Sequence, residues 1–128
     1  MEHIKIEATD KTPNVNFDAD NGKLELSGRS IPENVFSFYK PLFDWLDNYI
    51  SVPNKITEVN FKIEYFNTSS SKAVLSLLEK IKQIHLAGNE VIINWYYEDD
   101  DDDMFDTGKD FETIVNIPVN MIEFHLPD

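Results

Sequence analysis

The chain has 128 residues, no cysteine, and a formal net charge of −13 from 24 acidic and 11 basic side chains. The charge opposes nucleic-acid backbones and anionic lipid, and the missing thiols exclude disulfides, cysteine nucleophiles and cysteine metal sites. With 41% hydrophobic and 12% aromatic residues the chain is expected to form one domain over 1–128 with its own core.

No apolar run approaches the roughly 18 residues of a membrane span. The first residues, MEHIKIEATDK, lack the basic-then-apolar layout of a signal peptide. Cytoplasmic residence is the expectation.

Alternation of apolar and polar residues at Ile4 and Ile6, Val15 and Phe17, and Leu24 and Leu26 predicts three short strands. Asp18-Ala19-Asp20-Asn21-Gly22 joins the last two, and its Asn-Gly pair favours a tight type I′ hairpin. A calcium loop starting at Asp18 would need Gly sixth and Glu twelfth. Lys23 and Arg29 stand there instead.

Ser30-Ile31-Pro32-Glu33 reads as a helix start, with Ser30 as cap, Pro32 in the first turn and Glu33 at the positive end. Val35, Tyr39, Leu42, Leu46 and Tyr49 follow at helical spacing, and Pro41 predicts a kink or a break into two helices. Ile56 to Phe66 is a predicted strand, with Thr57, Val59, Phe61, Ile63 and Tyr65 on one face. The second helix opens within Asn67-Thr68-Ser69-Ser70-Ser71, capped by Thr68 or Ser69. It carries Val74, Leu75, Leu77, Leu78, Ile81 and Ile84 on a broad face and ends at Gly88 in a left-handed cap.

Glu90 to Tyr97 predicts a central strand covered on both faces. The acidic run Glu98 to Asp103 precedes a third helix over Met104 to Asn116. Val119 to Leu126 closes the chain as a strand with Met121 and Ile122 inside. The order implies an α/β fold with about three helices on a mixed sheet and an N-terminal hairpin.

Chemistry concentrates at Tyr65-Phe66-Asn67-Thr68-Ser69-Ser70-Ser71-Lys72. Four hydroxyls lie between a strand end and a helix start, where free amides and a partial positive charge accommodate anions. A phosphate on Thr68 or one of the serines would bring about −1.5 to −2 charge and three acceptor oxygens. Lys72 lies one turn away. Such a group would leave the helix intact and alter the surface a partner meets. Simple capping explains one hydroxyl, not four in succession. Ser69-x-x-Lys72 matches a serine–lysine hydrolase pattern without its companion motifs, and no glycines prepare a P-loop.

Asp99, Asp100, Asp101, Asp102 and Asp103 form a uniform run without the spacing that folds carboxylates round a cation. A docking edge for a basic partner is the preferred reading, and a divalent-metal-binding protein is an alternative. His3, His85 and His125 have no metal-ligand spacing. No catalytic constellation, resident metal or cofactor is called for.

Three motif groups together carry a family resemblance. They are Gly28-Arg29-Ser30 with Pro32-Glu33 and Phe38-Tyr39; Glu64 to Lys72; and Trp95-Tyr96-Tyr97 before the acidic run with Gly108-Lys109-Asp110. In this order they resemble the SiaC family of bacterial regulatory phosphoproteins over nearly the whole chain. The resemblance implies a STAS-like domain related to anti-sigma-factor antagonists. It implies a non-enzymatic switch, phosphorylated on a threonine by a dedicated kinase and reversed by a PP2C-type phosphatase. Unphosphorylated, such a protein binds and activates a diguanylate cyclase, raising cyclic di-GMP and favouring aggregation or biofilm. The matching threonine is Thr68, and Tyr65, Asn67, Ser69, Ser70, Ser71 and Lys72 surround it. An anti-sigma-factor-antagonist switch is the alternative, but Asn67 stands where that wider group has Asp and no Gly follows. That departure argues against a sigma-factor role and leaves the recognising kinase open.

Overall fold

The computed structural model describes residues 2–126. The strands are β1 (Ile4–Ile6), β2 (Asn14–Asp18), β3 (Lys23–Ser30), β4 (Ile56–Phe66), β5 (Glu90–Glu98) and β6 (Asn120–Phe124). The helices are α1 (Val35–Ser51), α2 (Thr68–Leu86) and α3 (Asp102–Val115). All six strands form one sheet in sequential order, antiparallel from β1 to β3 and parallel from β3 to β6.

That order decides the layering. Each crossover moves one strand along in the same direction, and right-handed crossovers then place every helix on one face. The covered face is apolar in register: Val15 faces Leu26, Leu26 faces Phe61, and Phe61 faces Trp95. Trp45 of α1 meets Phe17 with ring centroids 5.2 Å apart, and Phe111 of α3 meets Trp95 edge-on at 5.6 Å. Two polar groups inside the core pair with each other, the Tyr49 hydroxyl and Thr57 Oγ1 at 2.8 Å.

Among the described residues the other face carries no helix, which corrects the expectation of a doubly covered β5. A polar row of Asn16, Glu25, Asn60, Asn94 and Asn120 crosses it. Asn94 donates to Asn60 at 2.8 Å and Asn120 donates to Asn94 at 3.1 Å. Ile92 is only half-buried there.

Several local expectations change with tertiary context. The β2–β3 connection is a loop over 19–22 rather than a two-residue turn, since Asp18 pairs with Lys23. Asp18 organises it by accepting from the amides of Asp20 and Asn21 and from Asn21 Nδ2. Helix α1 begins at Val35 with Asn34 as its cap, not at Ser30. It runs through Pro41 as one element, because Pro41 is exposed while Tyr39, Leu42, Trp45, Leu46 and Tyr49 bury the opposite side.

Helix α2 ends as expected. Gly88 adopts φ 96°, its amide bonds to His85 O, and Asn89 N bonds to Ile84 O. Helix α3 starts two residues before the expected Met104, and β6 is shorter than 119–126. Glu112 closes the turn into β6 by accepting from Val119 N at 2.7 Å. Lys109 and that amide hold its carboxyl below the usual range.

Gly108 lies where α3 crosses Trp95. A Cβ there would stand 2.6 Å from Trp95 Cδ1 and 2.9 Å from Met121 Cε. The Trp95 indole is further held by donating to Met104 O at 3.0 Å, so it cannot yield freely. Gly108→Ala is expected to lose about 1–3 kcal/mol through this overlap. Urea unfolding followed by tryptophan fluorescence measures it, and an unchanged midpoint would refute the contact.

Candidate functional site

The carboxyl ends of β3, β4 and β5 share one edge of the sheet, where open α/β sheets place their crevices. Ser30 ends β3, Phe66 ends β4 and leads into α2, and Glu98 ends β5 ahead of α3. The two segments singled out in the sequence therefore meet at the same edge.

The turn into α2 is built by Asn67, whose Oδ1 accepts from Ser70 N at 2.9 Å. Asn67, rather than Thr68 or Ser69, is thus the cap. Thr68 is the first helical residue, exposed like Ser69, and its hydroxyl has no hydrogen-bond partner among the described residues. The first amide of this helix to find a backbone acceptor is Ser71 N, which bonds to Asn67 O at 2.9 Å. The Thr68 and Ser69 amides precede it, as free donors at a helix start.

Ser70 does not belong to the surface. It is fully buried, and Ser30 Oγ donates to its hydroxyl at 2.9 Å. Tyr39 OH lies 2.6 Å from Ser30 Oγ. Ser30 has a single proton, so the chain of donation runs Tyr39 to Ser30 to Ser70. This trio ties the end of β3 and the second turn of α1 beneath the first turn of α2. Burial raises the Tyr39 pKa, partly offset by its bonds with Ser30 and Ser70.

The other expected neighbours lie as follows. Ser71 is half-buried and donates to Thr68 O at 2.8 Å. Tyr65 leaves the buried row of Thr57, Val59, Phe61 and Ile63 because the β3–β4 register shifts there. Gly28 pairs with Ile63 and Arg29 with Tyr65, so Glu64 is an extra residue and Phe66, not Tyr65, returns to the core face. Tyr65 is 52% exposed, with the Arg29 guanidinium 6.0 Å from its ring centre. Lys72 is exposed and does not line the cleft beside Thr68. That cleft, about 290 Å³, lies between α2 and α3 and is lined by Phe66, Asn67, Thr68, Ser71, Thr107, Asp110 and Phe111.

The acidic run is divided among structural tasks. Asp99 pairs with His125 at 3.0 Å, and Asp101 caps α3 by accepting from Met104 N at 3.0 Å. Asp102 and Asp103 occupy the first turn of α3, where the helix dipole favours them. Of the five aspartates, Asp100 alone has no such role among the described residues. Among the described residues no three acidic or histidine side chains gather as a metal site.

Ser30, Tyr39 and Asp110 shape this site without having been assigned to it from sequence. A tyrosine in the buried stripe of α1 was the available signal, since its hydroxyl requires a partner.

A model of the SiaC family of regulatory phosphoproteins matches residues 6–124. The chain belongs to that family. A curated relative, an uncharacterised protein of Pseudomonas aeruginosa, is 26% identical over 118 residues, covering 92% of this chain and 94% of the relative. SiaC of Pseudomonas aeruginosa superposes with TM-score 0.87 at 25% identity, covering 97% of this chain and 100% of that one. Its apo structure gives 0.86 at 26% identity, over 95% and 99%. The crystal structure of the diguanylate cyclase SiaD in complex with its activator SiaC, from the same organism, gives 0.88 at 25% identity, over 94% and 99%.

Tyr39→Phe removes one donor from the buried trio and is expected to cost about 1 kcal/mol. Its pH signature has a definite sign. A folded pKa raised above the unfolded value contributes stability below about pH 10 that is lost as pH rises through the folded pKa. Unfolding at about pH 8 and about pH 11 should therefore show a smaller alkaline loss in Tyr39→Phe than in the parent chain.

Proposed function

We propose that this chain is a non-enzymatic phospho-switch that, unphosphorylated, docks on a diguanylate cyclase and activates it. Thr68 is the switch, set by a dedicated kinase and reset by a PP2C-type phosphatase. The output is cyclic di-GMP, and through it aggregation or biofilm formation. The partner follows from the family relative found in complex with the cyclase it activates.

The observation that carries the reading is the placement of the Thr68 hydroxyl. It is exposed, unbonded, and at the first residue of a helix in a family of regulatory phosphoproteins. A kinase reaches it without unfolding the domain. Of the candidate hydroxyls, Ser70 is sealed and Ser71 is committed to a carbonyl. Ser69 is exposed too, but it lies outside the cleft residues.

A dianion at this point would face any docked partner with desolvation cost and repulsion. A few kcal/mol there lowers affinity by about a hundredfold or more. Docking is assigned to the ground around Thr68, with Tyr65, Asn67, Ser69, Ser71 and Lys72. The Asp99 to Asp103 loop beside it is available to a basic partner chiefly through Asp100 and the solvent side of Asp102 and Asp103.

The test is cyclase activation and binding with unmodified, enzymatically phosphorylated and Thr68→Ala chains. The unmodified and Thr68→Ala chains are expected to bind and activate, and the phosphorylated chain to lose about a hundredfold in affinity. Equal binding by all three would refute the switch.

A further inference from the structure

We propose that Asp110 is a positioning residue that keeps a phosphate on Thr68 out of the α2–α3 cleft and turned to solvent, where a docking partner meets it. The proposal rests on the reading of Thr68 as the modified residue. The cleft has room for a phosphoryl group, at about 290 Å³. Its lining opposes one.

The hydroxyl donors are already committed. Ser71 Oγ donates to Thr68 O and Thr107 Oγ1 donates to Asp103 O, each at 2.8 Å. Asn67 turns Oδ1 toward Ser70 N. Phe66 and Phe111 offer apolar walls, and among the described residues no lysine or arginine lines the space. Asp110 is its one charged lining residue.

Charges on the surrounding elements do not correct this. Lys109, next to Asp110 on α3, is bonded to Glu112 at 2.8 Å. Lys72 on α2 is exposed and outside the lining. Asp103 and Glu64 line the neighbouring cleft with Tyr65 and add only negative charge. Against these stand the two free amides of Thr68 and Ser69. With Asn67 Nδ2, whose partner Oδ1 alone is bonded, they can hold a phosphate at the helix mouth, and the Asp110 carboxylate opposes its passage from there into the cleft.

An inward phosphate would sit against a carboxylate, and like charges at short range raise the pKa of the weaker acid. An outward phosphate keeps its hydration and projects from the docking ground. Modification is then met directly by the partner instead of being absorbed between the helices.

The test uses the full chain carrying a genetically encoded phosphothreonine at position 68, in three forms: parent, Asp110→Asn and Asp106→Asn. Asp106 lies on the same exposed helix, removes the same charge, and does not line the cleft. A phosphorus NMR titration reads the second phosphate pKa. Asp110→Asn is expected to lower it by about half a unit, the scale of one charge acting through water over a side-chain length. Asp106→Asn should leave it close to the parent value.

In binding, phosphorylated Asp110→Asn is expected to recover at least severalfold affinity for the cyclase over the phosphorylated parent. Equal pKa values in the two variants, or a lowered pKa without any recovery of binding, would overturn the role of Asp110. If phosphorylated and unmodified parent chains bind the cyclase alike, the Thr68 switch itself fails. The phosphorus comparison would still decide whether Asp110 senses the group.

Discussion

The buried hydroxyl of Ser70 sets the orientation on which the candidate site depends. With Ser70 held by Ser30 beneath the first turn of α2, the direction of every neighbour follows from helix geometry. Each residue turns by about 100°, so Thr68 lies about 200° from Ser70 and faces water. Asn67 fixes the same turn from outside through Ser70 N. Together the two contacts hold one helical turn at its backbone and at its inner side chain. The exposed hydroxyl is therefore presented by a rigid mount, and the first turn need not unwind to offer it.

Most of the fold was legible from periodicity. β4 runs from Ile56 to Phe66 as its alternation implied, and the broad apolar face of α2 is buried from Ala73 to Ile84. What sequence could not supply was the partner of each polar residue. Ser30 before a proline looks like a cap because a cap is a local device, whereas its true role depends on Tyr39 and Ser70, nine and forty residues away. Val91-Ile92-Ile93 suggests two covered faces because apolar residues occupy both parities. Only the sequential strand order, with every crossover of one hand, shows that one face must stay open. Tyr65 continues an alternating pattern in sequence, but an extra residue at Glu64 turns it outward and brings Phe66 onto Trp95 instead, and no local signal marks that bulge.

The same distinction governs the acidic run. Six consecutive acids read as one surface, but a chain that turns from strand to helix distributes them. Asp99 is drawn to His125 across the strand ends, Asp101 to the amide of Met104, and Asp102 and Asp103 to the positive end of α3. Clustering in sequence thus serves the start of a helix as much as any partner. Conversely Asp110, isolated in sequence from the serine segment, comes to line the cleft beside Thr68. The Gly108 close approach to Trp95 contributes to this, since it seats α3 near enough to the sheet for its next turn to border α2.

A net charge of −13 suggests at first that one more phosphate is insignificant. Screening argues otherwise. At physiological ionic strength, exposed charges separated by more than about 8 Å act weakly on each other. A partner that docks at the edge of β4 therefore responds to the groups within that radius, not to the total. Around Thr68 the cleft has apolar walls, two hydroxyls already bonded, one carboxylate and, among the described residues, no cation. On the proposed docking, a new dianion there changes the local field and the local hydration together, at the point where contact would be dry. The remote acids set solubility and the attraction of basic surfaces at long range. On the proposed switch, the chemistry within one side-chain length of the hydroxyl sets whether contact forms.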